Sequence, residues 1–575
     1  MRHLFSCLKT YKKESILAPL FKLLEAGMEL VVPLVVAAIV NRGINGAEGA
    51  DKRFVLIGCL ILVGFGVVGL AFSLTAQFFA ARAAVGTSAE LRGRLFAKLQ
   101  SFSYGQIDRT GTPAMITRMT SDVNQVQTGV NMTLRLLLRS PLIVFGATAM
   151  AFVKDAQTAL VFVAVLPLLI AVVAGVMAAG IPLYRRVQGR LDKVYASARE
   201  NLAGARVIRA FCNEDAEIAE FDERNGGLCK AQKKSGFVSS LMAPLTYVLV
   251  SVAVIALVWV GAIRVDGGGI EQGDVIALYS YLSIILVELV KFANLIFTIT
   301  KAVTCQKRIG AVLDEEGEAS VSGEAEPAAE DDCAVRFERV TFTYSGGGAP
   351  ALDGIDFAVR KGETVGVLGG TGSGKSTLVN LIPRFYEASE GCVRVDGRNV
   401  KGIPAEELRE TVGIVPQKAV LFQGTIRSNL LWGAGNATEE ELLAAIKTAQ
   451  AEDVVAAKGG LDGAVAQEGK NLSGGQRQRL TIARALVRKP KILILDDSSS
   501  ALDYATDANL RRALRELDCT VFIVSQRASS VRHADKIVVL DDGKAVGIGT
   551  HEELIGSCSV YREIYNSQER EESRS

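Results

Sequence analysis

Residues 364–377 read TVGVLGGTGSGKST, an apolar run that feeds the pattern GxxxxGKS with Gly369, Gly374, Lys375 and Ser376 at its fixed offsets. The spacing suits a polyphosphate. Gly369, Gly370, Gly372 and Gly374, interleaved with Thr371 and Ser373, let backbone N–H groups curl around the anion. Lys375 then reaches the terminal phosphates and the Ser376 hydroxyl ligates magnesium. A second apolar run, KILILDD, ends in the carboxylates Asp496 and Asp497, and a carboxylate at such a strand end is the expected metal partner of the loop. Between the two lies NLSGGQRQRLTIARAL, from Asn471. A serine and two glycines opening an Arg-rich amphipathic helix offer N–H groups and a helix dipole to a second anion. One nucleotide does not need both devices on one molecule unless two copies meet head to tail.

The elements that position these residues belong to a chain of mixed character. Its 575 residues suggest three or four domain-sized units. A hydrophobic content of 49% is too high for a purely soluble protein of this size, whereas 22% charged residues are too many for one living wholly in lipid. A membrane part joined to a soluble part fits both. Collagen-like and disordered classes are excluded by the low proline content and aliphatic richness. A net charge of +2 gives no bulk attraction to nucleic acid.

Six apolar stretches, at about 16–40, 54–80, 136–153, 157–182, 237–263 and 274–300, each approach the roughly 20 residues needed to cross a bilayer. The long intervening segments 81–135 and 183–236 carry eighteen Lys and Arg, against five in the short loops. That bias places both long segments and the N-terminus in the cytoplasm. Their helical patterning predicts helices extending well beyond the bilayer. Inside the stretches, Glu25 and Glu29 stand four apart, and Glu288 and Lys291 three apart. Ionisable groups at membrane depth are costly and face a cavity or a partner. Glu29, Glu288 and Lys291 are therefore candidate cavity residues, with an internal Glu288–Lys291 pair as the plainer reading.

From Asp314 to Asp332 the chain has nine acidic residues and no basic one, which marks a solvated linker and a domain boundary. The tail SQEREESRS is expected to fray. Nine scattered cysteines without a CxxC pair read as reduced thiols, most of them facing a cytosol. The basic start leads into no short apolar run with a cleavage site, so no removable signal peptide is expected.

Taken together, these motifs resemble the ATP-binding cassette (ABC) superfamily, as an exporter-type half-transporter with fused permease and ATPase. The resemblance covers nearly the whole chain. It rests on Tyr344 in FTYSGGG, similar to an adenine-stacking loop, on GGTGSGKST (369–377), and on Gln417 in GIVPQKAVLFQGTI. It continues through LSGGQ (Leu472, Ser473, Gly474, Gly475, Gln476), LDDSSSALD at 495–503 and VSQR at 524–527. FSYGQIDRTGTPAMITRMTSDVNQVQ and ENLAGARVIRAFCNEDAEIAEF resemble the first and second intracellular loops, which carry coupling helices. The resemblance implies an all-α six-helix permease over 1–313, an acidic linker over 314–334 and an α/β P-loop domain with an α-helical subdomain over 335–575. It also implies ATP bound by Tyr344, residues 369–377 and Gln417. Magnesium would be held by Ser376, Gln417 and Asp496. LSGGQ would act in trans, and the D-loop would be Ser500, Ala501, Leu502 and Asp503. A multi-pass protein of the plasma membrane follows, with a cytoplasmic ATPase, a lipid bilayer around it, a hydrophobic or amphipathic cargo and a second half-transporter as partner.

Two positions depart from the family pattern. Active members follow the strand-end Asp with Glu, where this chain has Asp497; their switch histidine is here Gln526. Damaged hydrolytic groups beside an intact LSGGQ resemble the degenerate-site subunit of a heterodimeric multidrug-type exporter. The alternatives are a slow homodimeric lipid or peptide exporter and an ATP-gated regulatory or channel-like protein.

Overall fold

The structure is a computed structural model in which residues 2–45, 51–318, 321, 332–498 and 500–572 are described. It divides into two compact units, Met1–Gln100 with Pro113–Glu315, and Ser101–Thr112 with Glu316–Ser575.

The first unit is all helical. Six segments, Lys12–Ile44, Lys52–Gln100, Thr112–Lys154, Ala156–Ala203, Glu214–Asp266 and Gln272–Asp314, are long and apolar enough to cross a membrane, and each contains one of the six apolar stretches. Lys52–Gln100 has 49 residues, so it is about 70 Å long, more than twice the roughly 30 Å of a hydrocarbon core. The surplus falls in more polar sequence rich in Ala, Leu and Arg, residues that keep a helix going without lipid. Small side chains let these helices approach closely: Ala76, Ala80, Ala83 and Ala84 are buried on Lys52–Gln100. A Cβ on Gly129 would lie 2.3 Å from that of Ala302.

The second unit is built on three sheets. The largest has six strands in the order Lys544–Gly549, Lys536–Asp541, Thr364–Gly369, Thr520–Ser525, Ile492–Asp496 and Val412–Val415. All are parallel except Lys544–Gly549, which is antiparallel to its neighbour. Ile492–Asp496 is buried along its whole length, as expected for a parallel strand covered on both faces. A four-stranded antiparallel sheet, in the order Leu352–Arg360, Cys333–Phe342, Glu390–Val395 and Arg398–Asn399, shares a core with it. A two-stranded ladder joins Gly424–Thr425 to Ala464–Val465. The helices Ile426–Leu430, Glu439–Thr448, Glu452–Ala457 and Gly474–Val487 gather around a second core that includes Leu430, Leu442, Ile446 and Leu480. This is the helical subdomain expected from the sequence.

The last membrane-length helix ends at Asp314 and the first strand begins at Cys333. Most of the acidic linker lies outside the described residues. Ser101–Thr112, read from sequence as part of the permease, belongs to the nucleotide-binding unit. The C-terminal tail also differs from expectation: the helix Ser559–Glu572 runs through most of the segment expected to fray, and only its last three residues lie outside the description.

Candidate nucleotide-binding site

The phosphate loop leaves the central strand Thr364–Gly369 and enters the helix Lys375–Leu381. Gly374 caps that helix at φ 95°, and a Cβ there would stand 2.6 Å from the Ala351 carbonyl. Only glycine meets both demands. Lys375 is buried, and its ammonium donates to the carbonyls of Gly369 at 2.9 Å and Gly370 at 2.5 Å. Burial pulls its pKa below the usual lysine range, against the raising influence of Asp497 and Asp496. A charged amine held over a loop of backbone amides is poised for a polyanion. Ser373 agrees, because its buried hydroxyl has no hydrogen-bond partner among the described residues.

Neighbouring strands bring the remaining groups to the same sheet edge. Ser376 donates to Asp496 at 2.9 Å, so the loop hydroxyl and the strand-end carboxylate meet across 120 residues of sequence. Burial raises the pKa of Asp496 above the usual carboxylate range, although the Ser376 hydrogen bond opposes it. Gln417 donates to Asp497 at 3.4 Å. The Ser376 hydroxyl and the Asp496 carboxylate are oxygen donors of the kind that magnesium takes, and Gln417 stands beside them through its bond to Asp497. Bound there, the ion would supply charge neutralisation to the phosphates.

Asp497 sits at φ 46° and its N–H donates to the Val524 carbonyl at 3.0 Å, which fixes the start of its side chain. Burial raises its pKa, with Gln417, Lys375 and Arg527 opposing. Gln526 follows the strand Thr520–Ser525 and accepts from the Thr371 hydroxyl at 3.5 Å. Both departures from the family pattern therefore lie beside the phosphate loop. Thr377 and Tyr344 pair through their hydroxyls at 2.9 Å. The Tyr344 ring is held edge-on by Phe342 and Tyr386, and 39% of the residue is exposed.

The signature residues form a different surface of the same unit. Ser473 caps the helix Gly474–Val487, accepting from the Gln476 N–H at 3.2 Å, while Gln476 returns a bond to the Ser473 N–H at 2.9 Å. This capping box leaves the Gly474 face open, since a Cβ there meets nothing within 4 Å. Gly475 instead packs against the D-loop: its Cβ would lie 2.9 Å from the Ala501 carbonyl. Leu472 and Leu502 are buried in one core. Ser500 donates to the Asp497 carbonyl at 2.8 Å, and Asp503 caps the helix Tyr504–Leu514.

Sequence reading missed the aromatic seat of the short helix Tyr104–Thr110. Tyr104 stacks on Phe385 at 4.1 Å, and Tyr386 donates to Asp108 at 2.6 Å. Burial and the Asp108 acceptor both push the Tyr386 pKa up.

In the helical unit, Glu288 is buried and accepts from Lys291 at 2.8 Å, from Ser140 at 2.9 Å and from Arg139 at 2.5 Å. Arg139 also donates to Glu29 at 2.6 Å and stands 4.0 Å from Glu25, which Lys22 pairs. The internal pair read from sequence is thus one edge of a cluster of six charged groups and the Ser140 hydroxyl whose hub, Arg139, sequence reading passed over. An excess of carboxylates in the flanking stretches was the available signal.

Comparison with known proteins finds relatives over nearly the whole chain. Residues 15–289 match the ABC transporter transmembrane region and residues 352–500 match the ABC transporter family. The chain is 37% identical over 569 residues to the ABC transporter ATP-binding protein YfiB of Bacillus subtilis, covering 99% of this chain and 98% of that one. It is 30% identical to an ATP-dependent lipid A-core flippase of Syntrophus aciditrophicus, over 84% of this chain and 81% of that one. Its fold matches a bacterial Atm1-family ABC exporter solved with ATP bound, with a TM-score of 0.81 at 24% identity, covering 97% of this chain and 98% of that one.

Proposed function

Because the chain belongs to the ATP-binding cassette transporters, with membrane and ATPase regions in one polypeptide, we propose that it is the degenerate-site half of a heterodimeric exporter. ATP binds its own phosphate loop with little hydrolysis, and its LSGGQ completes the hydrolytic site of a second half-transporter. The cargo is hydrophobic or amphipathic, and magnesium accompanies the nucleotide.

The observation that carries this reading is the position of Asp497. The backbone there is pinned, so a side chain one methylene shorter than glutamate leaves its carboxylate about 1.5 Å short of where a water must be polarised. A misplacement of roughly 1 Å costs on the order of 100-fold in rate. Gln526 supports the same reading, since a neutral amide beside Thr371 neither carries charge nor exchanges a proton as histidine does. The intact signature, free of such changes, is what a partner's ATP requires.

The test is steady-state ATPase activity of the purified chain alone and of the chain assembled with a second half-transporter that carries Asp-Glu at the strand end and a switch histidine. The expected result is ATP binding with little turnover alone and brisk turnover in the complex. Brisk magnesium-dependent hydrolysis by the lone chain overturns the reading in favour of a homodimer.

A further inference from the structure

At the opposite end of the central sheet from the phosphate loop, a cavity of about 270 Å³ is lined by Arg511, Arg512, Arg515 and His533, with hydroxyls from Thr364 and Ser530. Thr364 begins the strand that Gly369 ends, so the two places are about 17 Å apart. No carboxylate is among the lining residues. We propose that this cavity is a further anion site, separate from the phosphate loop and from the LSGGQ turn, which takes a phosphate-bearing small molecule distinct from the nucleotide in the phosphate loop.

Two of the arginines are held in place before any ligand arrives. Arg511 donates to the Ser529 carbonyl at 2.8 Å and pairs with Asp507 at 2.6 Å, and Arg515 donates to the His533 carbonyl at 2.7 Å. Each guanidinium has five donors, so Arg515 keeps most of its fork for an acceptor. Arg512 is exposed and has no ion pair among the described residues. Among the described residues, Arg511 alone of the three lining arginines pairs with a carboxylate. The excess positive charge acts on His533: its pKa is lowered by partial burial first, and then by Arg515, Arg532 and Arg511. A phosphate relieves this repulsion and accepts the forked donors. The cavity floor includes Val521 and Ile523, and exposed Tyr504 stands at its rim. An apolar or planar group attached to the phosphate therefore has a surface to rest on.

The site does not depend on the heterodimer reading. The experiment titrates inorganic pyrophosphate calorimetrically into the full-length chain carrying Lys375→Ala, in magnesium-free buffer, so that the phosphate loop does not compete. One pyrophosphate per chain is expected. Adding Arg512→Ala with Arg515→Ala should weaken it by about tenfold or more, and Arg512→Lys with Arg515→Lys should recover part of the loss. Displacement by a short-chain phosphatidylglycerol identifies a lipid headgroup as the natural source, and failure to displace identifies a soluble phosphate ester. No binding by the Lys375→Ala chain, or unchanged affinity in the alanine variant, overturns the proposal.

Discussion

At Asp497 the physical issue is a carboxylate whose pKa burial has raised. In the nucleotide- and magnesium-free chain its ionised form is the disfavoured one, so its charge lowers stability once pH exceeds the ordinary carboxylate value near about 4. Below that value both states are protonated and the penalty disappears. As pH rises through the raised folded value, the penalty reaches its full size. Asp497→Asn should therefore raise the thermal midpoint of the ligand-free chain by roughly 1–2 °C at about pH 7.5, and by less at about pH 5. Scanning fluorimetry at both pH values checks this, and an equal gain at both contradicts it. The residues of this site were readable because their geometry is local: six consecutive positions impose the loop, and Gly374 must adopt a left-handed backbone. The Ser376–Asp496 contact was inferred through resemblance and strand patterning, since 120 residues separate the two. Nothing local signals that Tyr104 rests on Phe385. That contact depends on where a short polar helix settles, which aromatic composition does not encode.

Between elements, the cluster around Arg139 shows how helices of apolar sequence acquire specific neighbours. Arg139 opens the helix Arg139–Lys154 and joins Glu29, on the first long helix, to Glu288, on the last. Its carboxylate partners are 110 and 149 residues away, which is why one cation in an apolar window passed unnoticed while Glu288–Lys291, one helical turn apart, did not. Removing a single partner of a buried ion pair costs about 3–5 kcal/mol, whereas replacing both by apolar groups is often tolerated. Arg139→Leu should accordingly lower the thermal midpoint more than the double variant Arg139→Leu/Glu288→Leu. Thermal unfolding of the detergent-solubilised chain measures the order of the two. A double variant less stable than Arg139→Leu would show that the cluster holds the helices by more than mutual neutralisation. The six membrane segments were legible because twenty apolar residues in a row have few other fates. Their extensions were expected from helical patterning, but the assignment of Ser101–Thr112 to the second unit needed the packing itself.

For the whole molecule, the phosphate loop and the LSGGQ turn of the second unit do different work under the proposed two-chain arrangement. Ser473→Arg places a long cation in the turn that would face the partner's nucleotide, while the chain's own phosphate loop is untouched. It should abolish turnover of the assembled complex. Gln526→Ala should change that turnover by less than about twofold, because its own site contributes little of the rate. Steady-state hydrolysis by the two variant complexes decides between them, and a larger loss from Gln526→Ala would reverse the assignment of the working site.

The absent side chain at Gly475 has a mechanical corollary. The Ala501 carbonyl fills that space, Ala501 follows Ser500, and the Ser500 hydroxyl is bonded to the carbonyl of Asp497. The signature turn and the end of the acidic strand are thus two sides of a party wall only a few atoms thick. Under the proposed two-chain arrangement, a phosphate arriving or leaving on one side would press on the residue that faces the other. In that arrangement two nucleotides would be tenants who hear each other, and a chamber that seldom turned over its occupant would still set the tempo of the room next door.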